Sequence, residues 1–402
     1  MAHDRPLVLH ILTNLAFGGA QISVTSISAG LCRHGFDVRV AYSSRGCMEL
    51  QDDRVLSSRL RDSSVPIYDV PEMRRDIHPL ADLLAFQDLR RLIRQLRPEI
   101  VHTHMSKAGI LGRMAAAAEH VPHVLHSIRG WSFQGQSSRV RRYLYRKLEQ
   151  MAARHTEVML AVGYEMIEQG FQAAIYHPNY TVVRSGIDLD GFPSRGGDIG
   201  ALRQALAIPS TAPVVGTVSQ MCESKAPLDF VAAAERVAHQ VPSAHFLMVG
   251  DGPLRQAVEQ RIRRASLDSR FHLLGTRSDV SALLALMDVF LFTSQWEGLP
   301  RAIVEAMAAR VPIVATSVAG TTELLVHGIS GLLAPAGDID GLATHIQTLL
   351  SDRDLARRLA EEAHNKISAE FDLAVVVNRH EQIYRQLLRG SSSRGRGAAV
   401  CT

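Results

Sequence analysis

Short, nearly continuous apolar runs alternate along this chain with longer segments in which apolar residues recur every three or four positions. The first kind of run reads as strand buried on both faces, the second as amphipathic helix, and their alternation predicts an α/β protein with parallel sheets. In the first half, the strand-like runs are Leu7–Leu12, Val38–Tyr42, Ile100–Thr103, Leu125–Ile128, Val158–Val162 and Tyr180–Val183. Helices are expected over about Gln21–Arg33 and Asp82–Leu96, the second ended by Pro98. The pattern restarts after a turn-rich stretch from Gly191 to Gly200, with strands expected at Val214–Val218, His245–Val249, Phe271–Leu274, Val289–Phe292 and Ile313–Thr316. Helices then follow Asp340 to about Leu388. This repetition places a domain boundary near residue 191, giving domains 1–190 and 191–370. A Gly/Ser/Arg-rich tail over 389–402 is expected to be disordered.

Composition agrees with two ordinary cores. The 402 residues are 46% hydrophobic and 21% charged, enough apolar content for two domains of usual size. No apolar run approaches the roughly 18–20 residues of a membrane-spanning helix, and the start lacks a basic-then-apolar leader, so a cytoplasmic protein is expected. Cys32, Cys47, Cys222 and Cys401 are scattered without C-x-x-C pairing, which argues against a disulfide framework and a structural zinc site.

The most informative stretch is Ser294-Gln-Trp-Glu-Gly-Leu-Pro-Arg-Ala-Ile-Val-Glu-Ala-Met-Ala308. The apolar run at Val289–Phe292 should deliver the chain to a helix beginning near Pro300, because Gly298 permits close backbone approach and proline suits a first helical turn. A helix N-terminus offers free N–H groups and the positive end of a dipole, both suited to a phosphate. Glu297 stands just before that helix and Glu305 within it, so the two carboxylates can reach different parts of one hydroxyl-rich ligand. The alternative is a helix-start acid and a solvated surface residue.

The E-x7-E pattern is followed by Val311-Pro-Ile-Val-Ala-Thr316, Gly320-Thr-Thr-Glu323 and Gly331-Leu-Leu-Ala-Pro-Ala-Gly-Asp338. Together these resemble the C-terminal half of family 4 retaining glycosyltransferases of GT-B fold. Gly18-Gly-Ala-Gln21, Val101-His-Thr-His-Met-Ser-Lys-Ala-Gly109 and Arg184-Ser-Gly-Ile-Asp188 resemble the N-terminal half of bacterial members that build capsule, exopolysaccharide or lipopolysaccharide. The resemblance spans about residues 7 to 388. It implies two doubly wound Rossmann-like domains facing across a cleft, the first binding the acceptor and the second the nucleotide-sugar donor, with a helix at 371–388 crossing back to the first domain.

The resemblance also implies roles for residues. Lys225 matches the phosphate-binding lysine, Glu297 the carboxylate facing the donor sugar, and Glu305 the one holding the ribose hydroxyls. Gly298, Leu299 and Pro300 would line the nucleotide site, and the Gly18–Gly19 turn would bring backbone amides to the diphosphate. Two departures stand out. Gln220 occupies a position where the family usually has an arginine, and Arg129 one where it tends to have a histidine, while His126 matches the first histidine of relatives with H-T-x-H-G. Arg129 can replace the lost cation near the diphosphate but cannot act as a neutral acceptor. If it does not compensate, the alternative is a non-catalytic GT-B protein that binds nucleotide or partners an active transferase.

Competing readings fall on specific residues. A nicotinamide dehydrogenase would need G-x-G-x-x-G, but the first turn reads Phe17-Gly-Gly-Ala20, and Val40-Ala-Tyr-Ser43 offers no acid for a ribose hydroxyl. A sugar-nucleotide epimerase would need its acid/base groups elsewhere. The H-x-H pair His102 and His104 could suggest a metal site, yet GT-B relatives are metal-independent and no Cys or carboxylate stands at ligand spacing nearby. No metal or cofactor is expected. Asp188-Leu-Asp190 and Asp338-Ile-Asp340 imitate D-x-D but sit in turn-rich connections, where they are expected to cap helices.

Charge divides unevenly. Residues 1–190 carry 23 Lys/Arg against 19 Asp/Glu and the remainder 21 against 21, so the net charge of +4 lies wholly in the first half. The run Arg139-Val-Arg-Arg-Tyr-Leu-Tyr-Arg-Lys147 and the set Arg90, Arg91, Arg94 and Arg97 could meet anionic headgroups or a lipid-linked pyrophosphate acceptor on the inner membrane face. Neither shows a nucleic-acid motif. The expected activity is transfer of a glycosyl group from a nucleoside diphosphate sugar, by family habit a UDP-sugar, to a glycan or lipid-linked acceptor.

Overall fold

The structure is a computed structural model that describes residues 5–16, 18–45, 53–74, 77–131, 133, 138–192, 199–367 and 369–397. Phe17, Cys47, Cys401, most of the turn-rich stretch after Phe192 and the end of the tail lie outside the described residues. The chain forms two compact units, one of Met1–Gly186 with Asp372–Thr402, the other of Ile187–Phe371.

The first unit is built on seven strands: β1 (Leu7–Ile11), β2 (Asp37–Tyr42), β3 (Ile67–Asp69), β4 (Ile100–His104), β5 (His123–Ile128), β6 (Val158–Ala161) and β7 (Tyr180–Val182). Their order is β3-β2-β1-β4-β5-β6-β7, and every pairing is parallel. The second unit has β8 (Val214–Val218), β9 (His245–Val249), β10 (Phe271–Gly275), β11 (Val289–Phe292), β12 (Ile313–Thr316) and β13 (Leu332–Ala334) in the order β10-β9-β8-β11-β12-β13, again all parallel. Each sheet therefore winds outward in both directions from a central pair, β1 with β4 and β8 with β11. Chain reversal at these pairs leaves a crevice at the strand carboxyl ends, where open α/β sheets bind ligands.

Central strands are buried because helices cover both faces. β1, β4, β5, β9, β11 and β12 are buried along their whole length. Phe230, Phe246, Val289, Leu291 and Val314 fill one core of the second unit, with Leu342 and Ile346 from the helix Ile339–Ser351. In the first unit, Leu9, Ile11, Leu89 and Val101 pack on one face of the sheet. Val8, Ile27, Phe36 and Leu125 pack on the other, against Val376, Val377, Ile383 and Tyr384.

Those last four residues belong to the helix Leu373–Gly397, whose packing joins the chain's C-terminal segment to the first sheet. It approaches the helix Gly19–Arg33 so closely that a Cβ at Gly30 would lie 2.6 Å from the Val377 side chain. The helix continues to Gly397, past the expected start of an irregular tail at 389. β3 and β13, of three residues each, are added by the structure to the expected strands. Asp338 caps as expected, accepting from Gly341 N–H at 2.9 Å. Asp188 precedes a short 3-10 turn without making a side-chain cap, its carboxylate lying beside Gly191 instead.

Candidate active site

The crevice of the second unit lies at the carboxyl ends of β8 and β11, and the two loops leaving those strands carry the principal predicted residues. After β8 the chain makes a 3-10 turn at Glu223–Lys225, enters the left-handed region at Ala226 (φ 44°), and begins the helix Pro227–Gln240. Proline at the first helical position fixes that start. After β11 the loop Thr293–Pro300 leads into the helix Arg301–Ala308, with Pro300 at its N-cap. The helix begins where the sequence predicted.

Hydrogen bonds clip the two loops together. Thr293 Oγ1 donates to the carbonyls of Lys225 (2.9 Å) and Ala226 (3.2 Å), and Gln295 N–H donates to Ser224 O at 2.8 Å. Within that frame the Lys225 ammonium pairs with the Glu297 carboxylate and lies 5.6 Å from the centre of the Phe292 ring. The lysine side chain is 24% exposed and the glutamate 9%. A buried backbone scaffold thus presents one cation and one carboxylate at the rim of the sheet.

Neighbouring segments brace both loops. Gly250 and Gly252, at φ +128° and +159°, run beneath the β8 loop, where a Cβ would meet Ser219 O at 2.1 Å and Met221 O at 2.5 Å. The sequence left this glycine pair unassigned, and its role is to let two backbones touch. Gly320, at φ +76°, does the same under the β11 loop, where a Cβ would lie 2.2 Å from Gly298 O. Thr316 Oγ1 donates to Ser294 O at 2.5 Å. Ser294 Oγ and Thr321 Oγ1 are buried without partners.

The remaining predicted donor residues surround this pair unevenly. Gln220 is half-buried at the base of the β8 loop, its carbonyl accepting from Cys222 N–H at 2.9 Å. Leu299 and Pro300 are buried, and Gly298 is half-buried. Glu305 accepts from Arg301 Nε at 2.7 Å along the helix face, with 13% side-chain exposure. Its carboxylate is therefore already oriented by an i,i+4 pair.

The first unit supplies the other candidates. Gly18 caps the helix Gly19–Arg33 in an extended conformation, φ −158° and ψ 159°, which any residue can adopt. Gly19 is already helical, so the two glycines stand at the N-terminus of that helix. Arg129 follows β5 and donates from Nη1 to Ser185 Oγ at 2.9 Å.

His126 departs from its expected catalytic place. It is 3% exposed, bonds through Nδ1 to Thr103 Oγ1 at 2.9 Å, and packs against Gly109, where a Cβ would lie 2.4 Å from its ring. Burial, with the Arg113 charge beyond it, holds its imidazole well below the usual range. Such a side chain ties β4 to β5. Arg113 is itself fully buried, with Nη2 2.5 Å from the equally buried Glu149 and Nε donating to Gly109 O at 2.7 Å. Sequence reasoning gave neither residue a role, since their partnership depends on how two helices meet.

Of the two basic surfaces, one is partly paired within the fold. Arg90 and Arg94 both bond Glu119, and Arg91 pairs with Asp88 at 3.1 Å. The helix Arg139–Ala153 is different: among the described residues no ion pair engages Arg139, Arg141, Arg142 or Lys147. Val140, Tyr143 and Leu144 are exposed on the same helix. No helix among the described residues is long and apolar enough to cross a membrane.

Two doubly wound parallel sheets, with a paired lysine and glutamate at the switch point of the second, define a GT-B architecture equipped to meet a phosphorylated, hydroxyl-rich ligand. Comparison with known families is specific. The family profile described as "Glycosyl transferase 4-like domain" matches residues 18–186 and that described as "Glycosyl transferases group 1" matches residues 212–352. The chain belongs to the family 4 glycosyltransferases, and is a glycosyltransferase of GT-B fold.

A curated relative, the Escherichia coli UDP-Gal:alpha-D-GlcNAc-diphosphoundecaprenol alpha-1,3-galactosyltransferase, is 29% identical over 80% of this chain and 84% of its own length. The Streptomyces fradiae 2-deoxystreptamine N-acetyl-D-glucosaminyltransferase is 26% identical over 96% of this chain and 94% of its own. Among solved structures, Anabaena Alr3699/HepE in complex with UDP and glucose superposes with a TM-score of 0.82 at 22% identity, covering 95% of this chain and all of the other.

Proposed function

We propose that this protein moves a sugar from a nucleoside diphosphate sugar, a UDP-sugar, to a hydroxyl of a glycan or lipid-linked acceptor, with retention at the anomeric carbon, in assembly of a surface polysaccharide or related glycoconjugate. The observation that carries the reading is the Lys225–Glu297 pair at the carboxyl ends of β8 and β11. It supports donor binding because the ammonium has three donors. One can stay on Glu297 while the others meet diphosphate oxygens. The pair therefore holds the cation in place before the ligand arrives, and little reorganisation is required when negative charge develops on the leaving group.

In this reading the anomeric C–O bond to phosphate breaks as the acceptor oxygen bonds the same carbon from the same face. The acceptor's proton passes to the departing phosphate oxygen, so no separate nucleophile is needed. Lys225 and the N-terminus of Arg301–Ala308 stabilise the diphosphate, Glu297 orients the donor sugar, and Glu305 takes the ribose hydroxyls. Gln220, Gly298, Leu299 and Pro300 line the nucleotide. Cationic side chains take the place of a metal ion. In the first unit, Arg129, Gly18 and Gly19 are candidates for contact with a phosphate-bearing ligand.

The names of two relatives support a UDP-sugar donor and a lipid-diphosphate acceptor, since one uses UDP-galactose on a diphosphoundecaprenol glycan and a structural neighbour holds UDP. A cytoplasmic enzyme that meets the inner membrane face through the helix Arg139–Ala153 fits such an acceptor. Its unpaired guanidinium groups suit anionic headgroups, and Val140, Tyr143 and Leu144 can enter the interface. Calorimetry with a panel of UDP-, GDP- and ADP-sugars, with donor hydrolysis followed in the same samples, tests the reading. Selective binding with slow hydrolysis is expected; no binding across the panel would overturn it.

A further inference from the structure

Five polar side chains form a continuous chain inside the first unit, beneath the C-terminal helix. His10 on β1 lies opposite His102 on β4 in the sheet register, and His104 follows two residues on, facing the same side. The rings of His10 and His104 stack with centroids 5.0 Å apart, and those of His102 and His104 are 4.2 Å apart. His380 and Tyr384 reach them from the helix Leu373–Gly397, one turn apart. His10, His102, His104 and Tyr384 have no exposed surface, and His380 is 2% exposed.

The contacts settle where the protons are. A neutral imidazole has one N–H and one bare nitrogen. His104 Nε2 lies 3.1 Å from His10 Nδ1, His10 Nε2 3.2 Å from the Tyr384 hydroxyl, that hydroxyl 2.6 Å from His102 Nδ1, and His102 Nε2 2.8 Å from Ser127 Oγ. If each group donates to the next in that order, every contact is satisfied and only His104 Nδ1 is left without a partner, as a bare acceptor. The opposite polarity would leave a buried N–H unpaired, the costlier orphan. His380 stands beside the chain with its Nδ1–H donated to Val376 O at 2.8 Å.

We propose that this chain is an acid-sensitive latch: uncharged imidazoles and the Tyr384 hydroxyl hold the C-terminal helix on the first sheet, and a proton added to any ring loosens it. A second proton on His10 or His102 would set donor against donor. A proton on His104 Nδ1 breaks no bond but buries a charge. The permanent charge acting on the rings is a cation: Arg129, from the segment after β5, is felt by His10, His102, His104 and His380, and the buried, uncharged His126 on β5 neighbours His102. No carboxylate is among these groups to balance an added charge.

The sign follows from the ring environments. Burial, followed by coupling to the neighbouring imidazoles and to Arg129, lowers His10 to about 3 and His102 and His104 well below 6.5; burial takes His380 to about 4. Neutral rings are thus preferred in the latched state, whereas released rings return to about 6.5. The latch is complete above pH 6.5 and weakens as pH falls toward the latched values. Each ring exposed by release contributes up to about tenfold per pH unit in that window. The helix's outer tie, in which Glu381 meets His34 and Arg385, stays intact at pH 5, because those partners hold the Glu381 carboxyl below its usual range and its contribution is lost only at lower pH.

His10, His102 and His104 each place one nitrogen within 4.8 Å of the others, a spacing that would also admit a metal ion. The latch instead uses both nitrogens of His102, on Tyr384 and Ser127. Hydrogen exchange of the full-length protein, corrected for intrinsic rates, separates these. From pH 7.5 to 5.0, exchange in 373–388 should rise about thirtyfold or more while the helix Pro227–Gln240 changes little. Tyr384→Phe, which keeps the ring volume, should raise exchange in 373–388 about tenfold already at pH 7.5. Exchange in 373–388 that is indifferent to both, or that rises only together with 227–240, would overturn the proposal, as would a stoichiometric transition metal in the purified protein.

Discussion

Replacing Lys225 by alanine tests the donor site most directly, because the backbone around it is held independently of the side chain. Thr293 and Gln295 bond the loop through its carbonyls, so the loop should keep its path when the ammonium is gone. Two separate losses are expected. A charge-assisted hydrogen bond contributes about 1.5–3 kcal/mol, so UDP affinity should fall roughly 10- to 150-fold. Glu297, with 9% of its side chain exposed, also loses its cation. That should cost about 1–3 kcal/mol, or roughly 2–10 °C in the melting temperature of a unit this size.

The two losses can be separated. Lys225→Ala with Glu297→Gln removes the stranded charge, so it should recover much of the stability and none of the UDP affinity. Calorimetric titration with UDP and scanning calorimetry on the same three proteins read both quantities. Raising the salt concentration should narrow the affinity gap between wild type and variant, as screening requires. A Lys225→Ala protein that binds UDP within twofold of wild type would refute the assignment of the lysine to the diphosphate.

Three further outcomes follow from other parts of the molecule. Glu149→Ala strands the fully buried Arg113 guanidinium and should cost about 3–5 kcal/mol, whereas Arg113→Met with Glu149→Leu should lie within about 1 kcal/mol of wild type; a single variant losing less than about 1 kcal/mol in chemical unfolding would contradict this. Gly320→Ala should displace the Gly298 carbonyl and weaken UDP binding with Lys225 intact, at a cost in stability of about 1–3 kcal/mol; unchanged titration and melting would show that the loop can yield. Charge reversal at Arg139, Arg141 and Arg142 should abolish co-sedimentation with vesicles containing anionic lipid while UDP binding persists. Equal pelleting of variant and wild type would remove this helix from the membrane contact.

Much of the architecture was legible because its signals are local. A buried parallel strand needs only a few consecutive apolar residues, and β8, β9, β11 and β12 have the limits the runs predict. The loop-to-helix junction at Pro300 was likewise readable, since proline and glycine act on their own backbone. At Gly18–Gly19 the sequence showed only a turn before a helix; that Gly18 is an extended N-cap with Gly19 already helical is added by the structure. The pairing of Arg90 and Arg94 was not legible for another reason: Glu119, which both bond, stands at the C-cap of a different helix.

The sequence by itself therefore determined the class of fold, the family and the two loops that carry the proposed donor-site residues. Tertiary structure alone decided which of those residues meet. Lys225 and Glu297 are 72 residues apart and pair only because β8 and β11 are neighbours in the sheet. His10 and Tyr384, 374 apart, meet because the C-terminal helix lies on the first sheet, and His126 is buried against Thr103 between strands. Periodicity reports the burial of a segment, but a partner's identity depends on strand order and on which helix covers which face, and these emerge only when the whole chain is packed.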